Sequence, residues 1–182
     1  MNRTLIAVAL VMLLAAVAVQ AQAPAPKPGP EHKKLEIWIG DWTYEGEYHA
    51  TPLGPAGKCT GKVAIRPILG GFFVEFRSEE KGSSGTTQYL EIDGYDPVAR
   101  KYFWNGFDSQ GLNEAVTYTI EGNMVAYSGT LVIGAKQAKS RGTFVFAPDF
   151  MSYAAEYEIS VDGKAWMTFF EGKFTKAKSS PK

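Results

Sequence analysis

Histidine and cysteine, which supply most metal ligands and many catalytic groups, are scarce in this chain. Its 182 residues include two histidines, His32 and His49, and one cysteine, Cys59. A zinc site usually needs three or four ligands of the His, Cys or carboxylate type, and no pair here has the spacing of metal ligands. We therefore expect solvated or capping histidines, a buried inert thiol, and no metal or other cofactor.

Sequence motifs of nucleophilic catalysis and of nucleotide binding are also missing. The chain has no Gly-x-Ser-x-Gly segment, and a Ser-His-Asp triad would need one of the two histidines. No glycine-rich loop follows a strand and opens a helix, as a phosphate-binding loop would. The formal net charge is zero, with 19 basic and 19 acidic residues, so we expect no nucleic acid partner.

Carboxylates recur on the predicted strands in three pairs: Glu45/Glu47, Glu75/Glu91 and Glu156/Glu158. Residues i and i+2 share one face of a strand, so we interpret the same-strand pairs as rows on a solvated outer face. The apolar neighbours Phe73 and Val74 raise an alternative for the strand that carries Arg77. If Arg77 pointed into a cavity beside a carboxylate, the buried pair could anchor the acidic headgroup of a ligand.

Aromatic residues make up 13% of the chain and are the richest candidates for a binding site. Ligand cavities are mostly apolar with a few polar anchors, although plain core packing is the other interpretation of the same residues. The candidate cavity-lining residues are Trp42, Tyr44, Phe76, Arg77, Tyr102, Trp104, Tyr157 and Phe170.

The first 30 residues are expected to lie outside the folded domain. Residues 1–21 combine Arg3 with a 15-residue apolar run at 5–19 and small residues before a cleavage site near Ala21, which is typical of a secretory signal peptide. The run is shorter than the ~20 apolar residues of a membrane span. We expect a secreted or periplasmic protein that has no membrane span after cleavage and begins with a Pro-rich linker, residues 22–30.

From Trp42 onward the hydrophobic period is two, and turn residues separate about ten segments of strand length. Parallel pairing would need long crossovers, and the connections are short. Closing the sheet would remove its two exposed edges, although a sandwich is the alternative. We predict an all-β domain over residues 31–175, a roughly ten-stranded antiparallel up-and-down barrel, followed by a disordered tail, 176–182.

A short helix is predicted before the first strand. Pro30 suits the first helical position, and Leu35, Trp38 and Ile39 have the spacing of one apolar helical stripe. Gly40 is typical of a left-handed cap after the last helical residue. Alternating apolar residues in this stretch would also fit a strand, but we favour the helix. Because so short a helix cannot stand alone in water, we expect it to cap one end of the barrel.

In chain order the sequence contains the runs HKKL (32–35), GDW (40–42), RPILGGF (66–72), GYDP (94–97), KY (101–102) and FDS (107–109). These runs resemble a mostly secreted bacterial family known as domain of unknown function 1579, over roughly residues 31–174. The Gly-Asp-Trp run is also similar to the Gly-x-Trp signature of lipocalins and their calycin relatives. The resemblance implies a lipocalin-like barrel and no established reaction, so no catalytic residues carry over. Haem proteins of the related nitrobindin type use a histidine near the C-terminus, where this chain has none.

The sequence favours a binding protein that holds a small apolar or lipid-like ligand inside the barrel, with no catalytic residues. An isomerase or hydrolase using the same cavity is the first alternative, and it would need a cavity residue with a shifted pKa beside a nucleophile or proton donor. A protein-interaction module is the second, and it would need an apolar outer patch. The candidates for such a patch are Phe73, Phe103, Phe107, Met167 and Phe169. The sequence does not fix the ligand's identity or the oligomeric state.

Overall fold

The structure, a computed structural model, describes residues 25–83 and 85–177. The predicted signal peptide, residues 1–21, lies outside this part of the chain, as do residues 178–182 of the predicted tail. Among the described residues, no helix is long and apolar enough to cross a membrane.

Ten antiparallel strands form one closed barrel. They are Gly40–Tyr48 (β1), Gly57–Ile68 (β2), Phe73–Gly82 (β3), Gly85–Asp96 (β4), Lys101–Asp108 (β5), Asn113–Glu121 (β6), Met124–Ile133 (β7), Lys136–Phe146 (β8), Ser152–Ser160 (β9) and Met167–Lys176 (β10). Each strand pairs with the next along the chain, and β1 pairs with β10 to close the sheet. The predicted ten-stranded up-and-down barrel is confirmed.

Strand β1 shows how the period-two pattern builds this barrel. Trp42 and Tyr44 are buried, whereas Thr43 and Glu45 between and after them are exposed. Successive side chains of a strand point to opposite faces, so one face of β1 supplies the interior and the other meets solvent. The large rings that fill the interior provide most of the hydrophobic stabilisation of the domain.

The predicted N-terminal helix is present but shorter than its apolar stripe suggested. It consists of one α-helical turn, Pro30–Lys34 (α1), followed by a 3₁₀ turn, Leu35–Ile37. Gly40 is the first residue of β1, so the expectation that it caps the helix is wrong. Leu35 and Trp38 are buried against the barrel, and the Trp38 ring lies 5.0–5.9 Å from four rings of the interior. This end of the barrel is called the helix end.

The opposite, loop end carries residues 49–56, which connect β1 to β2. Within this connection Leu53 packs against the buried cluster of Leu131, Ala138 and Ile159. Lys136 Nζ donates a hydrogen bond to the carbonyl oxygen of Pro52 at 2.6 Å. Since β9 and β10 separate β1 from β8 in the barrel, the connection reaches over the ends of those two strands. It therefore covers part of the loop end.

Candidate functional site

The barrel interior contains a partly open cavity of about 240 Å³, and twelve of the 22 side chains that line it are aromatic. It extends from Trp38 and Tyr153 near the helix end to Tyr48 and Phe169 near the loop end. The aromatic interior predicted from the sequence is thus hollow in part, because rings fixed on opposite walls leave space between them. A cavity of this kind is the usual setting of a small-molecule site.

The structure brings most of the predicted lining residues together around this cavity. The five that line it are Tyr44, Phe76, Trp104, Tyr157 and Phe170. Trp42 and Tyr102 are buried but lie nearer the helix end, where the Tyr102 hydroxyl donates to Glu31 of α1. Contact of the five residues with a ligand remains a prediction.

Arg77 lies on the outer face of β3, so the expectation that it anchors a ligand inside the barrel is wrong. Its side chain is 65% exposed, and its Nε and Nη2 donate to the two carboxylate oxygens of Glu75, both at 2.8 Å. The physical reason is strand alternation, because Val74 and Phe76 fill the interior and the residues between and after them must point outward.

Three carboxyl groups on β4 and β6 face the interior instead: Glu91, Asp93 and Glu114. They are called the carboxyl cluster below. The sequence left open which face of β4 lies inside, and strand register decides it. Glu91 pairs with Phe76 across the β3–β4 ladder, and paired residues share a face of the sheet. Asp93 and Glu114 are only 1% and 5% exposed.

Tyrosine hydroxyls hold the carboxyl cluster in place. Tyr118 donates a hydrogen bond to Asp93 Oδ2 at 2.7 Å. The Tyr89 hydroxyl donates to Glu91 Oε2 at 2.9 Å and lies 3.3 Å from Glu114 Oε2. The phenol of Tyr89 therefore bridges two carboxyl groups that belong to different strands.

Gly106 of β5 makes this bridge possible. In register it lies opposite Glu91 on one side and Glu114 on the other. A Cβ atom at this position would collide with the Tyr89 hydroxyl. The missing side chain lets the phenol cross β5 between the two carboxyl groups.

Burial keeps the carboxyl cluster partly protonated near neutral pH. It raises the pKa of Asp93 to about 7. Burial and the charge of Glu91 raise the pKa of Glu114 to about 8. Burial and the charge of Asp93 raise the pKa of Glu91 well above its ordinary value. Glu91 and Asp93 are hydrogen-bonding neighbours and Glu114 is affected by the charge of Glu91, so the groups titrate together rather than one by one.

Four buried polar atoms on the cavity wall have no hydrogen-bond partner of good geometry among the described residues. They are Asp93 Oδ1, Glu114 Oε1 and the indole Nε1 atoms of Trp38 and Trp104. Buried polar groups are rarely left unpaired, because each one costs roughly 1–3 kcal/mol. The Trp104 indole lies close to Glu114 and the Glu91 carboxyl close to Asp93, so these polar groups can pair with one another as well as with water or a ligand in the cavity.

At the loop end of the cavity a second polar group is centred on Glu80. The hydroxyls of Tyr44 and Tyr48 donate to Glu80 Oε2 at 2.7 and 3.1 Å. Cys59 is buried nearby, and burial followed by the charge of Glu80 raises its pKa to about 12. The thiol is therefore protonated at neutral pH, which agrees with the expectation of an unreactive cysteine.

Neither histidine contributes to the cavity wall. The Nδ1 atom of His32 accepts a hydrogen bond from the Gly29 backbone N–H at 3.1 Å, which caps α1 as expected. His49 Nε2 lies 2.9 Å from Glu171 Oε2 in an exposed pair.

A β-bulge in β10 corrects the predicted outer patch. Pairing with β9 shifts between Thr168 and Phe170, and both Phe169 and Phe170 line the cavity. A bulge inserts one residue into a strand and breaks the alternation of faces. Phe169 is thus removed from the proposed outer patch, and the cavity gains a third ring from β10 beside those of Phe170 and Phe174.

A family model described as "Protein of unknown function (DUF1579)" matches residues 27–176. The chain belongs to this family. Among curated proteins, none matches the chain by sequence.

Two solved structures share the barrel of this DUF1579 protein. Rv2717c from M. tuberculosis has a TM-score of 0.61 at 11% identity, over 82% of this chain and 99% of that one. The S-type phycobiliprotein lyase CPES from Guillardia theta has a TM-score of 0.56 at 12% identity, over 82% of this chain and 94% of that one. At such low identity the likeness concerns the fold.

The carboxyl cluster is the part of this candidate site that sequence reasoning missed. On β4 the apolar Leu90 and Ile92 alternate with the more polar side chains, so hydrophobicity alone would place the wrong face inside. The usable signal lay on β6, where Glu114 shares the alternation of Val116 and Tyr118. A carboxylate in line with apolar residues that face a core is an indication of a buried functional group.

Proposed function

We propose that this protein binds a small, largely apolar ligand inside the barrel. The observation that carries the proposal is the aromatic cavity with four unpaired polar atoms on its wall. Rings supply the apolar contact area of a binding site, and a few fixed polar groups orient the ligand. The barrel likeness to the phycobiliprotein lyase supports a role in holding a ligand, on the level of fold.

The volume of the cavity narrows the class of ligand. Sites for drug-sized molecules measure roughly 300–1,000 Å³, whereas this cavity measures about 240 Å³. A compound with one or two rings, or a short branched chain, would fit. We therefore propose a compact ligand in place of a long-chain lipid.

Native mass spectrometry of the protein purified without detergent tests the proposal. We expect an added mass that is lost on denaturation and that can be identified in an organic extract. Val63 lines the cavity, so the larger side chain of Val63→Phe should occupy part of the cavity. This variant should lose the added mass. The matched control Val145→Phe, at a position 45% exposed, should keep it. Equal retention by both variants would contradict a ligand in this cavity.

We also propose a secreted or periplasmic location, on the strength of the signal peptide predicted for residues 1–21. Mass analysis of the protein from a periplasmic extract should show a chain that begins near residue 22. Recovery of the full-length chain from the cytoplasmic fraction alone would refute this location.

A second candidate function, acid–base catalysis in the same cavity, is favoured by one observation. The pKa of Asp93 is raised to about 7 by burial, and general acids and bases work best with a pKa near the operating pH. The Tyr118 hydroxyl beside it could assist proton transfer. If the extracted ligand is converted to a product by the wild-type protein, Asp93→Asn should abolish the conversion. Binding without any conversion to a product would refute catalysis and support ligand binding alone.

A further inference from the structure

We propose that the ligand carries a protonated amine and that Asp93 and Glu114 bind this cationic head. The inference rests on the proposed function and names the chemical class of its ligand. The unpaired oxygens Asp93 Oδ1 and Glu114 Oε1 both line the cavity. An ammonium group has donors only, so it matches two carboxyl oxygens that lack a donor of good geometry, although the Trp104 indole lies close to Glu114 and the Glu91 carboxyl close to Asp93.

The charged residues around the cavity favour a ligand with a positive charge. Within the described residues, five carboxyl groups line the cavity and no Lys, Arg or His does. A ligand with a carboxylate or phosphate head would find no counter-ion here and would be repelled. A cation would be attracted from the loop end inward, past Glu80 to the carboxyl cluster.

The aromatic side chains of the cavity wall also favour a positively charged ligand. Trp104 pairs with Asp93 across the β4–β5 ladder, and its ring lines the cavity beside Glu114. The faces of aromatic rings attract cations, and tryptophan does so best. The apolar part of the amine would rest against the remaining rings, which gives one end of the cavity to the charge and the rest to the body of the ligand.

Binding should release part of a proton per ammonium ion bound. Around neutral pH the carboxyl cluster is partly protonated, so pairing with the cation shifts it further towards the ionised form. The ammonium keeps all its protons, and the proton that a carboxyl group loses goes to solvent. The titratable groups that face the cluster are Glu80, Tyr89, Asp108, Tyr118, Tyr127 and Tyr153. The four phenols among them keep their own protons at neutral pH, because burial raises their pKa values.

Calorimetry with three matched probes tests the inference on the whole mature protein: 2-phenylethylamine, the neutral 2-phenylethanol and the anionic 3-phenylpropionate. We expect the amine to bind at least about tenfold more tightly than the alcohol, and the acid not to bind. The heat of amine binding should vary with the ionisation enthalpy of the buffer, which reports proton release. Affinity for the amine should rise by up to about tenfold per pH unit between about pH 6 and pH 8.

The variants Asp93→Asn and Glu114→Gln keep the shape of the site and remove one charge each. Both should weaken binding of the amine at least about tenfold more than binding of the alcohol. Glu121→Gln is the matched control, because Glu121 lies on β6 with Glu114 but at an exposed position. This variant should bind all probes as the wild type does. Proton release by the wild-type protein remains a test even if a variant fails to fold.

The outcomes separate this inference from the function on which it rests. Equal affinity for amine and alcohol, or tighter binding of the acid, would refute the inference of an amine head but not the proposed ligand-binding function. If no probe binds and the purified protein carries no ligand, both the amine head and the proposed function fail.

Discussion

Replacing Asp93 with asparagine should remove a pH-dependent loss of stability. Asp93 is 1% exposed and accepts a hydrogen bond from Tyr118, a bond that an amide oxygen can also accept. Burial raises its pKa from 3.8 to about 7. A carboxyl group whose pKa is raised by folding binds its proton more tightly in the folded state. Its contribution to stability is therefore full below the unfolded pKa and is lost as the pH rises towards the folded pKa.

The size of the effect follows from those two pKa values. Each pH unit between them changes the free energy of unfolding by about 1.36 kcal/mol. Over roughly three units this corresponds to at most about 4 kcal/mol, which the wild-type protein should lose through the coupled pair Asp93 and Glu91 as the pH rises from about 4 to about 7. No discount for solvent screening applies, because the side chain is buried. Glu91 is hydrogen-bonded to Asp93 and its charge affects Glu114, so the losses of the three groups do not simply add.

Urea unfolding at fixed pH values between 4 and 8 measures the effect. We expect the stability curve of Asp93→Asn to be flatter than that of the wild-type protein, with the difference growing up to about pH 7. Asp41→Asn is the control, since its side chain is 62% exposed on the outer face, and it should keep the wild-type slope. Parallel curves for Asp93→Asn and the wild type would refute the argument that burial controls this group.

Two further predictions concern the packing around the carboxyl cluster and the lone thiol. Gly106→Ala should destabilise the protein by about 1–3 kcal/mol in urea unfolding, because the new methyl group collides with the Tyr89 hydroxyl. The double variant Gly106→Ala/Tyr89→Phe should recover part of the loss, and no recovery would mean that the clash lies elsewhere. Cys59 should react with a thiol reagent far more slowly in the native than in the unfolded protein at pH 8, since its pKa is raised to about 12. Equal rates would show that the thiol is accessible and ionised.

Alternation along single strands carried most of the fold prediction. Trp42 and Tyr44 on β1 are buried and their neighbours exposed, because a residue's face is fixed by its position parity in a strand. Of the eight residues that were predicted to line the cavity, five do so. The rule of alternation fails at Phe169, where a bulge changes the parity within β10. Bulges depend on pairing between strands, which a single strand's sequence does not record.

The interior face of β4 was harder to predict for a different reason. Hydrophobicity identifies the inward face only when the core is apolar, and here the inner row of β4 contains Tyr89, Glu91 and Asp93. Register with β3 places this row inside, and that register comes from the whole barrel rather than from β4. The functional part of the site is thus the part that departs from the apolar pattern, as is common where polar groups serve a ligand.

The carboxyl cluster destabilises the ligand-free protein. The same groups would bind the ligand, so ligand binding and stability should be linked. Buried carboxyl groups resist ionisation, and the unpaired oxygens of Asp93 and Glu114 add a desolvation cost. Apolar residues of similar size at these two positions would be expected to give a more stable protein. A bound cation would satisfy both oxygens and favour the ionised state that burial opposes. The stabilisation provided by an amine should therefore grow with pH over the range in which the empty protein loses stability, whereas a neutral ligand should stabilise it equally across that range.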